Sequence, residues 1–192
     1  EFLGALKNTV VFVLVAVVLN ICISTFLAVL IKSLRKKGAR SFFRGWMFLP
    51  AVVPIVAVCY VWLIMFDPAN GVLNQALMAL GMDHPINWLN DPRTALFSIV
   101  LVTLWCDLGY NLVILMSGLD NIPNMFLEAA EIDGANSIQK FFKITLPLMS
   151  RNMLFVVIMT CISYFQVFAQ VQIMTQGGPE NHTNVIGLNI YN

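Results

Sequence analysis

Four uninterrupted apolar stretches dominate this chain, at residues 9–31, 45–66, 94–119 and 152–175. Each matches or exceeds the roughly 20 residues that a helix needs to cross the hydrocarbon core of a bilayer. The first, second and fourth carry no charge, and the third carries only Asp107. Inside a bilayer the backbone finds no water, so such stretches must satisfy their own N–H and C=O groups as helices or as a closed barrel. None shows the strict alternation of a barrel strand. The expected fold class is an all-α membrane protein, a polytopic bundle with four transmembrane helices in these 192 residues. Composition agrees: 11% of residues are charged, against about a quarter in a soluble domain. Pro50 and Pro54 each remove a helix hydrogen bond, so the second stretch is expected to kink or to start late.

The connecting segments differ in charge. Lys32, Arg35, Lys36, Lys37, Arg40 and Arg44 follow the first stretch with no acid among them, and Lys140, Lys143 and Arg151 precede or open the fourth. The segment 67–93 holds Asp67, Asp83 and Asp91 against Arg93, and the tail after Thr175 holds Glu180 and no Lys or Arg. Positive loops stay on the cytoplasmic side. The first and third loops are therefore expected inside, and both ends of these 192 residues outside. Net charge is +1, and no basic tract with interleaved aromatics points to nucleic acid. Cys22, Cys59, Cys106 and Cys161 lie far apart within apolar runs, which suits small thiols packed between helices better than a metal or redox centre. The Asn181-His182-Thr183 sequon is read as accidental. The chain opens on Glu1 without a basic leader or cleavage site, and it is expected to be a piece of a longer polypeptide.

Two loops are structured in expectation. Val72, Leu73, Ala76, Leu77 and Leu80 share one face of a short helix within 71–81, and Trp88 suits a membrane boundary. In the loop 120–150, Asp120 or Asn121 can cap a helix that accepts Pro123 in its first turn and runs to Asp133-Gly134. There glycine permits a left-handed stop. A second helix starts near Ser137 and runs toward Pro147. It carries Ile138, Phe141 and Phe142 on one side and Asn136, Gln139, Lys140 and Lys143 on the other. Two short helices around a glycine hinge make an apolar knob.

The run Glu128-Ala129-Ala130-Glu131-Ile132-Asp133-Gly134-Ala135, followed by Phe141, Ile144, Thr145, Leu146, Pro147 and Leu148, resembles the EAA loop of permease subunits of binding-protein-dependent ABC importers. Lys7-Asn8-Thr9, Gly71-x-x-Asn74 and Thr175-Gln176-Gly177-Gly178-Pro179 are similar to the carbohydrate-uptake branch, of the larger maltose-permease and first glycerol-3-phosphate-permease type. The resemblance covers nearly the whole chain. It implies a six-helix permease core, one span preceding and one following these four, in a bacterial or archaeal cytoplasmic membrane. It implies that Glu128, Ala129, Ala130, Asp133, Gly134 and Pro147 belong to a docking element that enters a cleft of an ATPase subunit. The partners it implies are a second related permease, two ATPase subunits, which would bind ATP and magnesium, and an extracytoplasmic solute-binding protein, all around a chain seated in membrane lipid. The competing reading of the loop is an ordinary amphipathic connector.

No GxxxxGK[ST] phosphate loop, metal-ligand cluster or Ser/His/Asp set occurs, so the chain is expected to be non-catalytic and to hold no cofactor. Polar groups within the spans are the candidates for a solute path. Asp107 leads, because a charge near the bilayer centre costs roughly 3 kcal/mol or more and usually faces protein or water. Tyr110 and Asn111 follow it, and Tyr164, Gln166 and Gln170 add hydroxyl and amide groups on the fourth stretch. Hydrogen bonding between helices competes with solute contact for each of them. Three functional classes remain: importer permease, secondary transporter or channel subunit, and membrane scaffold. A secondary transporter or channel does not account for the loop 120–150, and a scaffold would keep its knob but need no polar groups on two helices.

Overall fold

The computed structural model describes residues 2–34 and 36–191, so Arg35 of the basic first loop lies outside the described residues. In chain order the helices are α1 (Phe2–Ser33), α2 (Lys37–Val52), α3 (Ile55–Met65), α4 (Val72–Ala79), α5 (Ala95–Asp120) and α6 (Asn124–Ile132). There follow α7 (Ser137–Lys140), a π-helical turn (Phe141–Thr145), α8 (Leu146–Leu148), α9 (Ser150–Phe165), α10 (Ala169–Met174) and α11 (Ile186–Tyr191). Among the described residues there is no strand. Helices α1 and α5 are each long and apolar enough to cross a bilayer. Two bent pairs raise the number to four: α2 with α3, at 96°, and the segment Ser137–Leu148 with α9, at 71°.

Two boundaries depart from the hydropathy reading. The second stretch starts no later than expected, since α2 opens at Lys37, but it breaks at Val53-Pro54 and α3 leaves in a new direction. The fourth stretch does not continue as one helix to Thr175. Helix α9 stops at Phe165, and Phe168 takes φ −145° and ψ −59° before α10 begins. A contact distant in sequence accompanies this stop. Gly187 sits so close that a Cβ there would lie 3.0 Å from the Val167 carbonyl oxygen. Apolarity continues through residues 166–174, but the backbone direction does not.

The chain divides into two compact units, and α1, α5 and α9 contribute residues to both. One unit comprises residues 1–18, 52–106 and 161–192. Its core sets Val58, Cys59, Trp62 and Phe66 against Val102, Cys106 and Met174, and α10 packs on α3. The other comprises residues 19–51 and 107–160. Its core gathers Leu112, Leu115, Met116 and Leu119 of α5 with Ala28, Ile31, Met149 and Val156. Leu14 and Val18 on α1, and Leu154, Ile158 and Ile162 on α9, stay exposed at i,i+4 spacing. Such stripes match a chain whose solvent is lipid. All four cysteines are free thiols; Cys59 and Cys106 are buried, whereas Cys22 is exposed and packs against nothing that would hide it.

Helix α4 is present, but its apolar stripe is not the whole of its packed face. Val72 and Leu80 are exposed, and the fully buried residue is Asn74. Its Nδ2 donates to the carbonyls of Ile86 (3.0 Å) and Pro68 (3.3 Å), while its Oδ1 accepts from Ile86 N–H and from Trp88 Nε1. Trp88 therefore uses its polar edge within the loop, and its ring lies 5.3 Å from that of Phe66, tilted by 32°. Gly71, three residues before Asn74, is required by close approach, since a Cβ would fall 2.3 Å from the Asp67 carbonyl oxygen. Removing the Asn74 amide orphans several groups at once, each worth about 1–3 kcal/mol when buried. Asn74→Ala is expected to loosen the loop, read as faster proteolytic cleavage between Gly81 and Trp88 than in the parent. Unchanged cleavage would show that the amide does not hold the loop.

Candidate functional site

The loop between α5 and α9 is built from its caps. Neither Asp120 nor Asn121 caps α6, contrary to expectation. The N-cap is Pro123, extended at φ −61° and ψ 132°, with no side-chain cap. Asp120 instead ends α5 and meets two cations, Lys32 Nζ at 3.8 Å and Arg40 at 3.9 Å. Lys32 also donates to the Leu119 carbonyl, and Arg40 donates to the Lys32 carbonyl at 2.6 Å. The C-terminal carbonyls of α5 and α1 are thus each met by positive charge, which favours the negative end of a helix dipole. This lattice ties the start of the loop to the ends of α1 and α2. All three side chains are part-exposed, so its ionic share is modest.

Helix α6 ends in a Schellman turn. Ala135 N–H reaches back to the Ala130 carbonyl at 2.9 Å, Gly134 N–H bonds the Glu131 carbonyl at 3.1 Å, and Gly134 takes φ +78°. The next helix starts at once, because Asn136 and Gln139 form a reciprocal capping box with bonds of 2.8 and 2.9 Å. It is not one regular helix to Pro147. After Lys140 the chain widens into a π-helical turn. Pro147 has no N–H to return to the preceding turn, and a local change of helical register absorbs that loss. Lys140 pairs with Glu131 at 3.5 Å across the hinge.

Glu128, Ala129, Asp133, Gly134 and Pro147 are exposed, while Ala130 is buried. Met125, Phe126, Ile132, Ile138 and Phe142 also lie open, Ile132 at 87%. Phe141, expected on the same side as Ile138 and Phe142, turns partly inward. The loop therefore presents large apolar side chains around two small helices and an exposed carboxylate. That surface can dock in a protein groove.

The intramembrane candidates are divided equally between the two units. Asn111 is buried, and its Nδ2 donates to Asn20 Oδ1 at 2.7 Å and Thr160 Oγ1 at 3.0 Å, joining α1, α5 and α9. Asp107, one turn earlier, is half-buried, and Tyr110 is about half exposed. These three belong to the same unit. Tyr164 belongs to the other and is 1% exposed, edge-on to Phe12. Gln166 lies in the exposed break after α9, and Gln170 is half-buried on α10. Asn20 and Thr160 were overlooked in the sequence. The signal was available, since an amide within an apolar helix needs a partner, but nothing local says which helix supplies it.

Several known proteins are similar to this chain. The profile described as "Binding-protein-dependent transport system inner membrane component" matches residues 20–192. The lactose transport system permease protein LacF of Rhizobium radiobacter is 37% identical over 196 residues, with 100% of this chain and 64% of that protein covered. The sn-glycerol-3-phosphate transport system permease protein UgpA of Escherichia coli is 32% identical, with 99% and 63% covered. The chain thus spans less than two thirds of either relative. In the crystal structure of a bacterial alginate ABC transporter in complex with an alginate pentasaccharide-bound periplasmic protein, one chain superimposes with a TM-score of 0.88 at 23% identity. The aligned region covers all of this chain and 66% of that one, a likeness of fold. With up to four spans and a profile match over most of its length, this multi-pass membrane chain belongs to the family of binding-protein-dependent transport system inner membrane components.

Proposed function

We propose that the chain is part of a non-catalytic permease subunit of an ABC importer, which forms the solute pathway and takes up a sugar or a related polar solute. ATP and magnesium would be bound by a separate ATPase. The observation that carries the reading is the knob of α6, α7 and the π-helical turn, which leaves Met125, Phe126, Ile132, Ile138 and Phe142 exposed along with Glu128. A contiguous apolar surface on a loop, outside the lipid-facing stripes, marks an interaction site, and a protein groove fits its two short helices. The named relatives, lactose and sn-glycerol-3-phosphate permeases among them, support a polar solute. The basic first and third loops support placing the knob in the cytoplasm. Asp107, Tyr110, Asn111, Tyr164, Gln166 and Gln170 are the candidate solute contacts; the amide of Asn111 also bonds Asn20 and Thr160.

The full-length protein, affinity-purified from membranes in mild detergent, is expected to bring with it a second permease of the same family and two copies of an ATPase. A solute-binding protein should stimulate hydrolysis by that assembly. Purification as a lone subunit that transports solute unaided would favour a secondary transporter instead.

A further inference from the structure

Two cations of this chain break its own charge rule. Every other Lys and Arg stands in the basic loops or at the span ends that adjoin them, but Lys7 lies in the first two turns of α1 and Arg93 directly precedes α5. These positions are at the opposite ends of those two helices from Lys32 and Asp120. Although 86 residues apart in sequence (93 − 7), both side chains line the same groove, of about 300 Å³, together with His182. Neither Lys7 nor Arg93 has an ion-pair partner among the described residues. His182 is brought there by a clamp. Asn8 Nδ2 donates to the carbonyls of Asn181 (2.9 Å) and Asn184 (3.0 Å), and Thr9 Oγ1 accepts from Ile186 N–H.

Away from this basic rim the groove is apolar. Val11, Val15, Phe97 and Val100 line it, and Phe97, Val11 and Val15 are exposed. From Lys7 to Val15 the lining descends along α1 by about 12 Å at 1.5 Å per residue. An acidic peptide would match the rim but leave the trough facing lipid. A free phosphate would do the same. An anionic phospholipid satisfies both parts, with a headgroup phosphate under the cations and acyl chains lying along the helices. We propose that this groove between the starts of α1 and α5 is a binding site for an anionic phospholipid, with Lys7, Arg93 and His182 around the phosphate and Phe97 against the chains.

The test uses the full-length permease in nanodiscs holding equal amounts of phosphatidylglycerol and phosphatidylcholine. Phe97→benzoylphenylalanine supplies a photo-crosslinker within the groove, and the adducts are identified by mass spectrometry. Phosphatidylglycerol adducts are expected to exceed phosphatidylcholine adducts by about thirtyfold, the scale of two basic residues near a membrane surface. The preference should vanish in the Lys7→Gln/Arg93→Gln double variant and persist in Lys7→Arg/Arg93→Lys, which separates loss of charge from loss of fold. Soluble glycerol phosphate should not reduce it. Equal labelling of both lipids would mean ordinary boundary lipid and overturn the proposal. So would adducts to another polypeptide segment, or competition by glycerol phosphate.

Discussion

Gly109→Ala is expected to destabilise the protein by about 3 kcal/mol, in the direction opposite to the usual effect of that exchange. In an ordinary helix interior alanine is favoured over glycine by about 1 kcal/mol. Gly109, however, lies where α5 crosses α2, and a Cβ there would fall 2.0 Å from the Met47 carbonyl oxygen and 2.7 Å from Phe48 Cα. Both obstacles are backbone, so no side chain can rotate away. The helices must separate, and such overpacking costs about 1–3 kcal/mol or more. Close backbone approach at a small residue is a common way for helices to associate in lipid, where the hydrophobic effect gives no preference for helix over tail. Gly118 is the internal control. Its added Cβ would meet only the Asn152 side chain, Cγ at 2.9 Å, Cβ at 3.0 Å and Oδ1 at 3.2 Å. Cγ and Oδ1 can rotate away, whereas Cβ moves only with its backbone, so a shift smaller than at Gly109 is needed. Thermal unfolding of the detergent-purified full-length protein should show Gly109→Ala well below the parent and Gly118→Ala between the two. A Gly109→Ala variant as stable as the parent would mean that α2 and α5 do not touch at this point.

Gly134→Leu and Glu128→Lys are expected to weaken retention of the ATPase, or to uncouple its hydrolysis from transport, while leaving the spans inserted. The two act by different physics. Gly134 holds φ +78° with nothing within 4 Å of a prospective Cβ. The penalty is therefore conformational, about 1–2 kcal/mol for a non-glycine residue in the left-handed region, and Gly134→Ala should be nearly as harmful as Gly134→Leu. Gly134→Asn should be milder, since asparagine visits that region more readily. Glu128 is exposed on α6, so its reversal should leave the fold alone and act through the partner's surface. Glu180→Lys, in the tail, should leave docking intact. Asp107→Asn, within a span, should alter transport without loosening the ATPase. Co-purified ATPase and solute-stimulated hydrolysis in vesicles are the readouts. If the Gly134 series and Glu128→Lys all keep full ATPase binding and parental coupling, the loop is only a connector.

What could be read from the sequence here was the part that depends on sums and short spacings. Membrane spans follow from runs of apolar residues, because transfer into lipid is nearly additive along a helix. The left-handed stop at Gly134 and the start of a helix near Ser137 follow from neighbours within a few positions, and so does the short helix after Gly71. Direction and partnership were decided elsewhere. Hydropathy carries residues 152–175 as one stretch, yet α9 ends at Phe165, where Gly187 comes up against the backbone of Val167. Pro54 marks a break in the second stretch, but nothing local sets the size of its bend, 96°. Asn111 finds Asn20 and Thr160 at separations of 91 and 49 residues, and Asn74 spends its amide twelve to fourteen residues away at Ile86 and Trp88. Lys7 and Arg93 share a groove only because α1 and α5 start side by side. A polar group buried among apolar neighbours announces that it needs a partner, since leaving it bare costs several kcal/mol. Which partner it takes is settled only when helices remote in sequence are packed together.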